Sequence, residues 1–180
     1  MVPEAPLEQT EHGLVPAGEG WFVVNTREAR WREDSFGKVC FYEGDGTRFG
    51  QLGVNVSVLE PGQPACMYHW EDEQEDFLLV AGEALLIVEG QERPLRAWDL
   101  VHCPPRTQHV IVGAGDGPCV IVAVGSRTGN DDWGAYTVDD AALRHGAGVE
   151  QETASPAEAY GRFPPGAFTR YRDGWLPELG

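Results

Sequence analysis

The sequence from residue 21 to residue 125 is a succession of short apolar runs separated by turns rich in glycine and proline. In residues 51–59 the apolar side chains occupy every second position, which indicates a β-strand with one buried face. No window of this region keeps the 3.6-residue period of a helix. Many short strands at close spacing predict an all-β sandwich or barrel. The predicted strands lie at residues 21–25, 38–43, 51–59, 66–71, 76–80, 84–89, 99–103, 108–112 and 119–124.

The segments on either side of this region differ from it in composition. Residues 1–20 are polar and contain several prolines and glycines, which predicts an extended N-terminal arm. After residue 125 the strand pattern stops, and residues 126–180 are interpreted as a C-terminal extension. The sequence therefore predicts an arm at 1–20, a barrel at 21–125 and an extension at 126–180.

Two short helices are predicted within the extension. The stretch 137–145 begins with Thr137 as a cap, has acidic residues in its first turn and basic residues in its last turn. A second helix is predicted to begin at Pro156, after Ser155 as N-cap. The remaining part is rich in aromatic residues, so we expect it to pack on the barrel or on a neighbouring subunit. Its aromatic residues include Phe168, Tyr171 and Trp175.

The charge of the chain limits its partners. It has 29 acidic residues against 13 basic ones, a formal net charge of -16 and a pI near 4.5. Such a chain is repelled by phosphate backbones and anionic lipids, so we expect neither nucleic-acid nor membrane binding. The first 20 residues lack the features of a signal peptide, and the four cysteines form no dense framework. We therefore expect a cytoplasmic protein with reduced thiols.

The residues that indicate chemistry are gathered in two stretches. His69 and Glu71 are two apart on a predicted strand and so face the same side. After a turn at residues 72–74, Glu75 would return beside them on the second strand of a hairpin. His109 would reach the same interior from a second hairpin. Two imidazoles with one or two carboxylates are the usual ligand set for a divalent transition metal.

The spacing of these residues resembles the two motifs of the cupin superfamily, over about residues 52–124. The resemblance implies an all-β, cupin-like double-stranded β-helix, or jelly-roll, barrel with an N-terminal arm and short C-terminal helices. It also implies a homodimer that binds a small-molecule ligand. The residues similar to the first motif are Gly62, His69, Glu71, Glu75 and Gly82, and those similar to the second are Asp99, Pro104 and His109.

Three turn positions depart from the family pattern without changing the expected fold. Trp98 stands where the family usually has glycine, Arg106 replaces the glycine after proline, and Gly113 stands where asparagine is common.

A fourth departure bears on chemistry, because Glu71 stands where the resemblance implies a second histidine. If Glu71 binds, the ligands are His69, Glu71, Glu75 and His109, and this oxygen-rich set favours Mn or Fe(II) over Cu. If it does not, the two-histidine, one-carboxylate triad of non-haem iron oxygenases remains, and Glu71 is available as a general base. We expect a divalent transition metal, one of Fe, Mn, Zn or Ni. The alternative is an eroded site in which His69 and His109 only line the barrel.

These residues favour a metal-dependent small-molecule enzyme of the oxygenase, isomerase or lyase type. Its candidate catalytic residues are Glu71 and Arg106, the latter at the barrel mouth, where it could clamp an anionic substrate. The alternative, which the sequence favours, is that Arg106 is a solvated loop residue. Two other functions stay open, a non-catalytic module that binds a sugar or an organic acid, and a metal-free structural dimer.

Overall fold

The computed structural model describes residues 1–127 and 133–178, and its strands form two facing antiparallel sheets and a separate N-terminal hairpin. No helix in these two ranges is long and apolar enough to cross a membrane. The all-β jelly-roll prediction is confirmed. The strands are β1 (Leu7–Thr10), β2 (Gly13–Pro16), β3 (Arg30–Asp34), β4 (Gly37–Phe41), β5 (Leu52–Leu59), β6 (His69–Glu71), β7 (Glu75–Ala81), β8 (Glu83–Val88), β9 (Gln91–Arg96), β10 (Leu100–Cys103), β11 (His109–Ala114), β12 (Cys119–Ser126), β13 (Gly134–Tyr136) and β14 (Ala167–Arg170).

The two sheets differ in size and in the part of the site they carry. The seven-stranded sheet has the order β10-β7-β12-β5-β4-β3-β14, and the five-stranded sheet has the order β13-β6-β11-β8-β9. The consecutive strands β6 and β7 therefore lie in opposite sheets, and so do β10 and β11. The two hairpins predicted around Glu75 and His109 are wrong, because each turn carries the chain from one sheet to the other.

The core lies between the sheets and is built from alternate residues of their strands. Leu59, Leu79 and Ile121 of the larger sheet pack against Leu86 and Ile111 of the smaller one. All five are buried, and each such side chain contributes about 1.5–3 kcal/mol relative to an exposed one.

Strand β5 turns its apolar face away from this core. Val56 and Val58 lie on the outer face of the large sheet, in a cluster with the fully buried Trp31. Residues of the C-terminal segment cover this cluster, since the ring centroid of Trp175 lies 5.3 Å from that of Trp31. The inner face of β5 instead carries small or polar residues and lines a cavity. These residues include Gly53, Asn55 and Ser57.

The parts outside the barrel differ partly from the prediction. Residues 1–20 contain the hairpin β1–β2, and the strand predicted at 21–25 is absent apart from an isolated bridge at Trp21. Helix α1 (Asp140–Arg144) is capped by Asp139, which accepts a hydrogen bond from the Ala142 N–H, so the cap predicted at Thr137 is wrong. Helix α2 (Pro156–Tyr160) begins as predicted, with Ser155 as N-cap. The predicted extension at 126–180 includes positions 128–132 and 179–180, which lie outside the described residues.

Candidate metal centre

The barrel interior brings together three of the predicted ligands from two facing sheets. His69 on β6 and His109 on β11 are direct partners in the small sheet. Glu75 begins β7 in the large sheet, opposite them. One nitrogen of each histidine and one carboxylate oxygen of Glu75 all lie within 4.8 Å of one another. These three residues could therefore share one metal ion.

Backbone carbonyls fix how both imidazoles are turned. The Nδ1 atom of His69 lies 2.9 Å from the Met67 carbonyl oxygen, and Nδ1 of His109 lies 2.9 Å from that of Thr107. Since a carbonyl oxygen only accepts, Nδ1 carries the proton in both rings. In the neutral form of each ring, Nε2 is then the acceptor and faces the interior, which is the form that binds a metal.

Two buried atoms of this group have no hydrogen-bond partner among the described residues, Oε2 of Glu75 and Nε2 of His109. They lie 3.4 Å apart. Leaving a buried polar atom unsatisfied costs about 1–3 kcal/mol, and more if it is charged. A divalent cation between these two acceptors would satisfy both, so the donor set fits the group that the fold family implies.

The environment shifts the pKa values of the three residues apart. Burial, with a contribution from the Glu71 carboxylate, raises the pKa of Glu75 to about 7. Burial and the neighbouring His69 lower the pKa of His109 to about 4. For His69, burial acts to lower the pKa, but Cys66 and the carboxylates of Glu71 and Glu75 raise it well above its usual value. Without a cation, protons on Glu75 and His69 therefore balance the buried charge.

Glu71 lies beside this group rather than within it. Its Oε1 atom is 3.4 Å from Nε2 of His69, and its side chain is 35% exposed, against 18% for that of Glu75. It lines the open cavity together with Glu75. Glu71 is thus placed where a base or a fourth ligand would stand, at the boundary between the buried atoms and the solvent.

Arg106 holds the chain around Glu71. Its backbone N–H donates to the Glu71 carbonyl oxygen at 2.7 Å, and its Nε donates to Oδ1 of Asp72 at 2.8 Å. Its guanidinium lies over the Trp70 ring, 5.4 Å from the centroid. Arg106 adopts a φ of +71° and Trp98 a φ of +77°. Both residues that replace family glycines therefore occupy the left-handed conformation that glycine favours.

Of the three candidate ligands, Glu75 also lines a cavity of about 560 Å³ that opens to the solvent. Its wall on β5 and β12 is formed by two pairs of small or polar residues. Gly53 pairs with Gly125, and Asn55 pairs with Ala123. A second pocket, of only about 60 Å³, is lined by His69, Glu75 and His109 together with apolar residues that include Phe77, Ile111 and Ile121. Sequence reasoning missed Arg127 and Trp133, which line the mouth. Their positions depend on long-range packing, and no local pattern distinguishes them.

The other histidine near the second motif lies outside the barrel interior. His102 is on the outer face of β10, and its Nδ1 is 2.6 Å from Oδ1 of Asp76. Asp76 faces away from Glu75, as the strand alternation predicts. Tyr68, next to His69 in the chain, also points outward, where it is buried in a cluster with Ala142 of α1.

Comparison with known proteins is consistent with this architecture. Residues 55–125 match the family model described as the cupin domain. The sequence matches no curated protein.

Three solved structures show how far the likeness extends. A Cupin 2 conserved barrel domain protein from Salinispora arenicola is 24% identical, with 59% of this chain and 89% of that chain covered and a TM-score of 0.50. A predicted oxalate decarboxylase from Thermotoga maritima is 20% identical, with 58% and 98% covered and a TM-score of 0.51. A protein from Acidithiobacillus ferrooxidans is 27% identical with a TM-score of 0.42, covering 46% of this chain and 53% of that one, so the chain spans about half its length. The first two likenesses concern the fold.

Proposed function

We propose that this chain, a cupin-superfamily protein whose cupin domain occupies residues 55–125, binds one divalent transition metal between His69, Glu75 and His109. The observation that carries the proposal is the pair of unsatisfied buried acceptors, Nε2 of His109 and Oε2 of Glu75, which face each other at 3.4 Å. Two acceptors in this arrangement repel each other unless a proton or a cation lies between them. Fe, Mn, Zn and Ni all accept such nitrogen and oxygen ligands.

We further propose that the site transforms a small molecule admitted through the cavity. A volume of about 560 Å³ lies within the usual range of about 300–1,000 Å³ for small-molecule sites. The absence of a side chain at Gly125 leaves room for a ligand beside Glu75, whereas the space beside Gly53 is filled by the Arg127 guanidinium. A bound divalent ion would supply Lewis acidity to an oxygen of that ligand. The chain itself holds the ion, excludes water from the apolar base and orients the ligand at the mouth.

Glu71 is the proposed general base. Its carboxylate is more exposed than that of Glu75 and lines the cavity, so it can accept a proton from a ligand held above the triad. A carboxylate base next to a Lewis acid suits proton abstraction beside a carbonyl. This favours an isomerase or lyase reaction over an oxygenase reaction. Arg106 binds Asp72 and Trp70, so we assign it to holding this rim rather than to substrate.

Metal analysis of untagged protein purified without added metal tests the proposal. We expect about one metal ion per chain in the wild type and strong loss of metal in His69→Ala, Glu75→Gln and His109→Ala. His102→Ala is the matched control, because His102 lies on the outer face and contacts Asp76. Equal metal content in all of these proteins, or none in the wild type, would contradict the proposal.

A second copy of the chain is the proposed macromolecular partner. Toward the edge strand β10, the outer face of the large sheet is uncovered, with Trp98 75% and Leu100 68% exposed. Pairing of two β10 edges would bury both residues and give the edge backbone partners. Light scattering should show a dimer that Leu100→Glu converts to a monomer, whereas Val23→Glu, at another exposed apolar residue, leaves it intact. A monomeric wild type would rule this out. Cytoplasmic localisation stays a prediction.

A further inference from the structure

A residue far outside the matched domain reaches the back of the candidate metal centre. The hydroxyl of Tyr160, the last residue of α2, accepts a hydrogen bond from the Met67 backbone N–H at 3.1 Å. The Met67 carbonyl oxygen in turn accepts from Nδ1 of His69 at 2.9 Å. Two hydrogen bonds therefore link the Tyr160 hydroxyl to the His69 imidazole, and both are made by the backbone of Met67.

The surroundings hold the Tyr160 hydroxyl in place. Met67 is fully buried, and it packs in a cluster with Phe36 and Tyr136. The Tyr160 ring meets both of these rings edge to face, with centroids 4.9 Å and 5.5 Å away. Met67 precedes β6, so strand pairing does not supply a partner for its N–H. The Tyr160 hydroxyl satisfies this buried donor and fixes the position of the residue whose carbonyl orients His69.

The two histidines differ in how they are supported. Thr107, whose carbonyl orients His109, is held within its own turn, because both its N–H and its hydroxyl donate to the Pro104 carbonyl oxygen. Met67 is instead held by a residue 93 positions away in sequence. One imidazole is thus oriented from within the cupin domain, and the other depends on α2.

We propose that Tyr160 is a positioning residue for the metal centre, which acts through the Met67 backbone to set the orientation of His69. The proposal rests on the proposed metal site. It predicts that the hydroxyl of Tyr160 matters to metal binding although it lies behind the ligand and touches no ion. Groups that orient ligating histidines typically change metal affinity about 10–100-fold when they are removed.

The test is a titration of metal-free protein with Co²⁺, followed by visible absorption, which reports on the coordination geometry of the ion. Tyr160→Phe removes one oxygen atom and keeps the ring. Tyr171→Phe is the matched control, because its hydroxyl accepts the Leu176 N–H in the tail on the outer face of the large sheet. We expect Tyr160→Phe to weaken Co²⁺ binding by about tenfold and to alter the absorption bands. Tyr171→Phe should change neither.

A purely structural role gives a different result. If Tyr160→Phe lowers the melting temperature of the metal-free protein but leaves Co²⁺ affinity and the absorption bands unchanged, the positioning role is overturned. The same holds if both tyrosine variants weaken Co²⁺ equally. A wild type that binds no Co²⁺ would overturn the proposed function together with this inference. A wild type that binds Co²⁺ with no effect of Tyr160→Phe would overturn this inference alone.

Discussion

His109 Nε2 and Glu75 Oε2 face each other across the barrel interior at 3.4 Å, and neither has a hydrogen-bond partner within residues 1–127 and 133–178. The first atom comes from the small sheet and the second from the large one. This contact therefore joins the two sheets at the point where the cavity meets the core. Replacing one of its two acceptors by a donor should abolish metal binding while it raises the stability of the metal-free fold.

Glu75→Gln makes that replacement. Above about pH 7, where Glu75 has lost its proton, only the glutamine amide can donate to Nε2 of His109, so we expect the metal-free variant to be more stable there than the metal-free wild type by about 1 kcal/mol. The same variant should lose the metal, because an amide does not neutralise the ion. Urea unfolding of metal-free proteins, with metal content measured in parallel, checks both expectations. A metal-free variant less stable than the wild type would contradict the role given to this pair.

Glu71→Gln should weaken metal retention less than Glu75→Gln does. Glu71 is the more exposed of the two, and its carboxylate stands 3.4 Å from His69 without belonging to the group of atoms within 4.8 Å. Dialysis against a weak chelator, with metal measured over time, ranks the two variants. Faster loss from Glu71→Gln than from Glu75→Gln would identify Glu71 as a principal ligand instead.

The stability of the metal-free protein should fall as pH rises above about 6.5. Burial raises the pKa of Glu75 from 4.5 in the unfolded chain to about 7 in the folded protein. The contribution of Glu75 to the stability of the fold is therefore lost as pH rises from about 4.5 to about 7. His69, with its raised pKa, loses its contribution above its unfolded value of 6.5. His109, with a pKa lowered to about 4, acts in the opposite direction but only between 4 and 6.5.

Bound metal replaces these protons, so the stabilisation by metal should grow with pH across the same range. Melting temperatures with and without metal, measured from pH 5.5 to 8.5 in matched buffers, test this expectation (a window of about three pH units around the shifted values). Metal stabilisation that is independent of pH would show that no proton leaves the triad when the ion binds.

Trp98→Gly should be more stable than Trp98→Ala by about 1 kcal/mol, because a Cβ atom at a φ of +77° is strained and glycine is not. Trp98 is largely exposed within one chain, so both variants lose little packing there, and both lose the same indole contacts in the proposed dimer. Comparing the two variants with each other removes the effect of the indole ring. Urea unfolding of both provides the measurement, and equal stability would mean that the turn relaxes around the substitution.

Trp175→Ala should lower the free energy of unfolding by about 1–2 kcal/mol, since its ring packs on Trp31. Its Co²⁺ affinity should equal that of the wild type, because this cluster lies on the outer face of the sheet. A parallel loss of stability and affinity would show that the tail also supports the interior.

The elements that could be predicted from the sequence are those with a strong local pattern. Strands β5, β8 and β12 were predicted within about two residues, since their apolar residues and turns are local signals. The strand β9 was missed because it is exposed and its sequence, QERPLR, is polar. Strand pairing was predicted wrongly at β6 and β7, because the choice of sheet depends on the whole topology.

The candidate site shows the same division. The convergence of His69, Glu75 and His109 could be predicted from spacing, since side chains that meet in the interior must face one side of their strands. The Met67 carbonyl and the Tyr160 hydroxyl could not, because a backbone atom has no residue signature and Tyr160 lies 93 positions from its partner. Their roles follow only from the packing of α2 against the barrel.

This long separation has a consequence for how the protein is made. On the ribosome, the two histidines and Glu75 are synthesised well before Tyr160, and also before β13, which pairs with β6 along its whole length. A nascent chain that has released only the barrel strands can therefore pair His69 with β11, but it lacks β13 on the other side and the Tyr160 hydroxyl behind it. The donor residues are thus present early, but the contacts that orient His69 form late in translation, so an ion captured earlier would meet a looser and less selective arrangement of ligands.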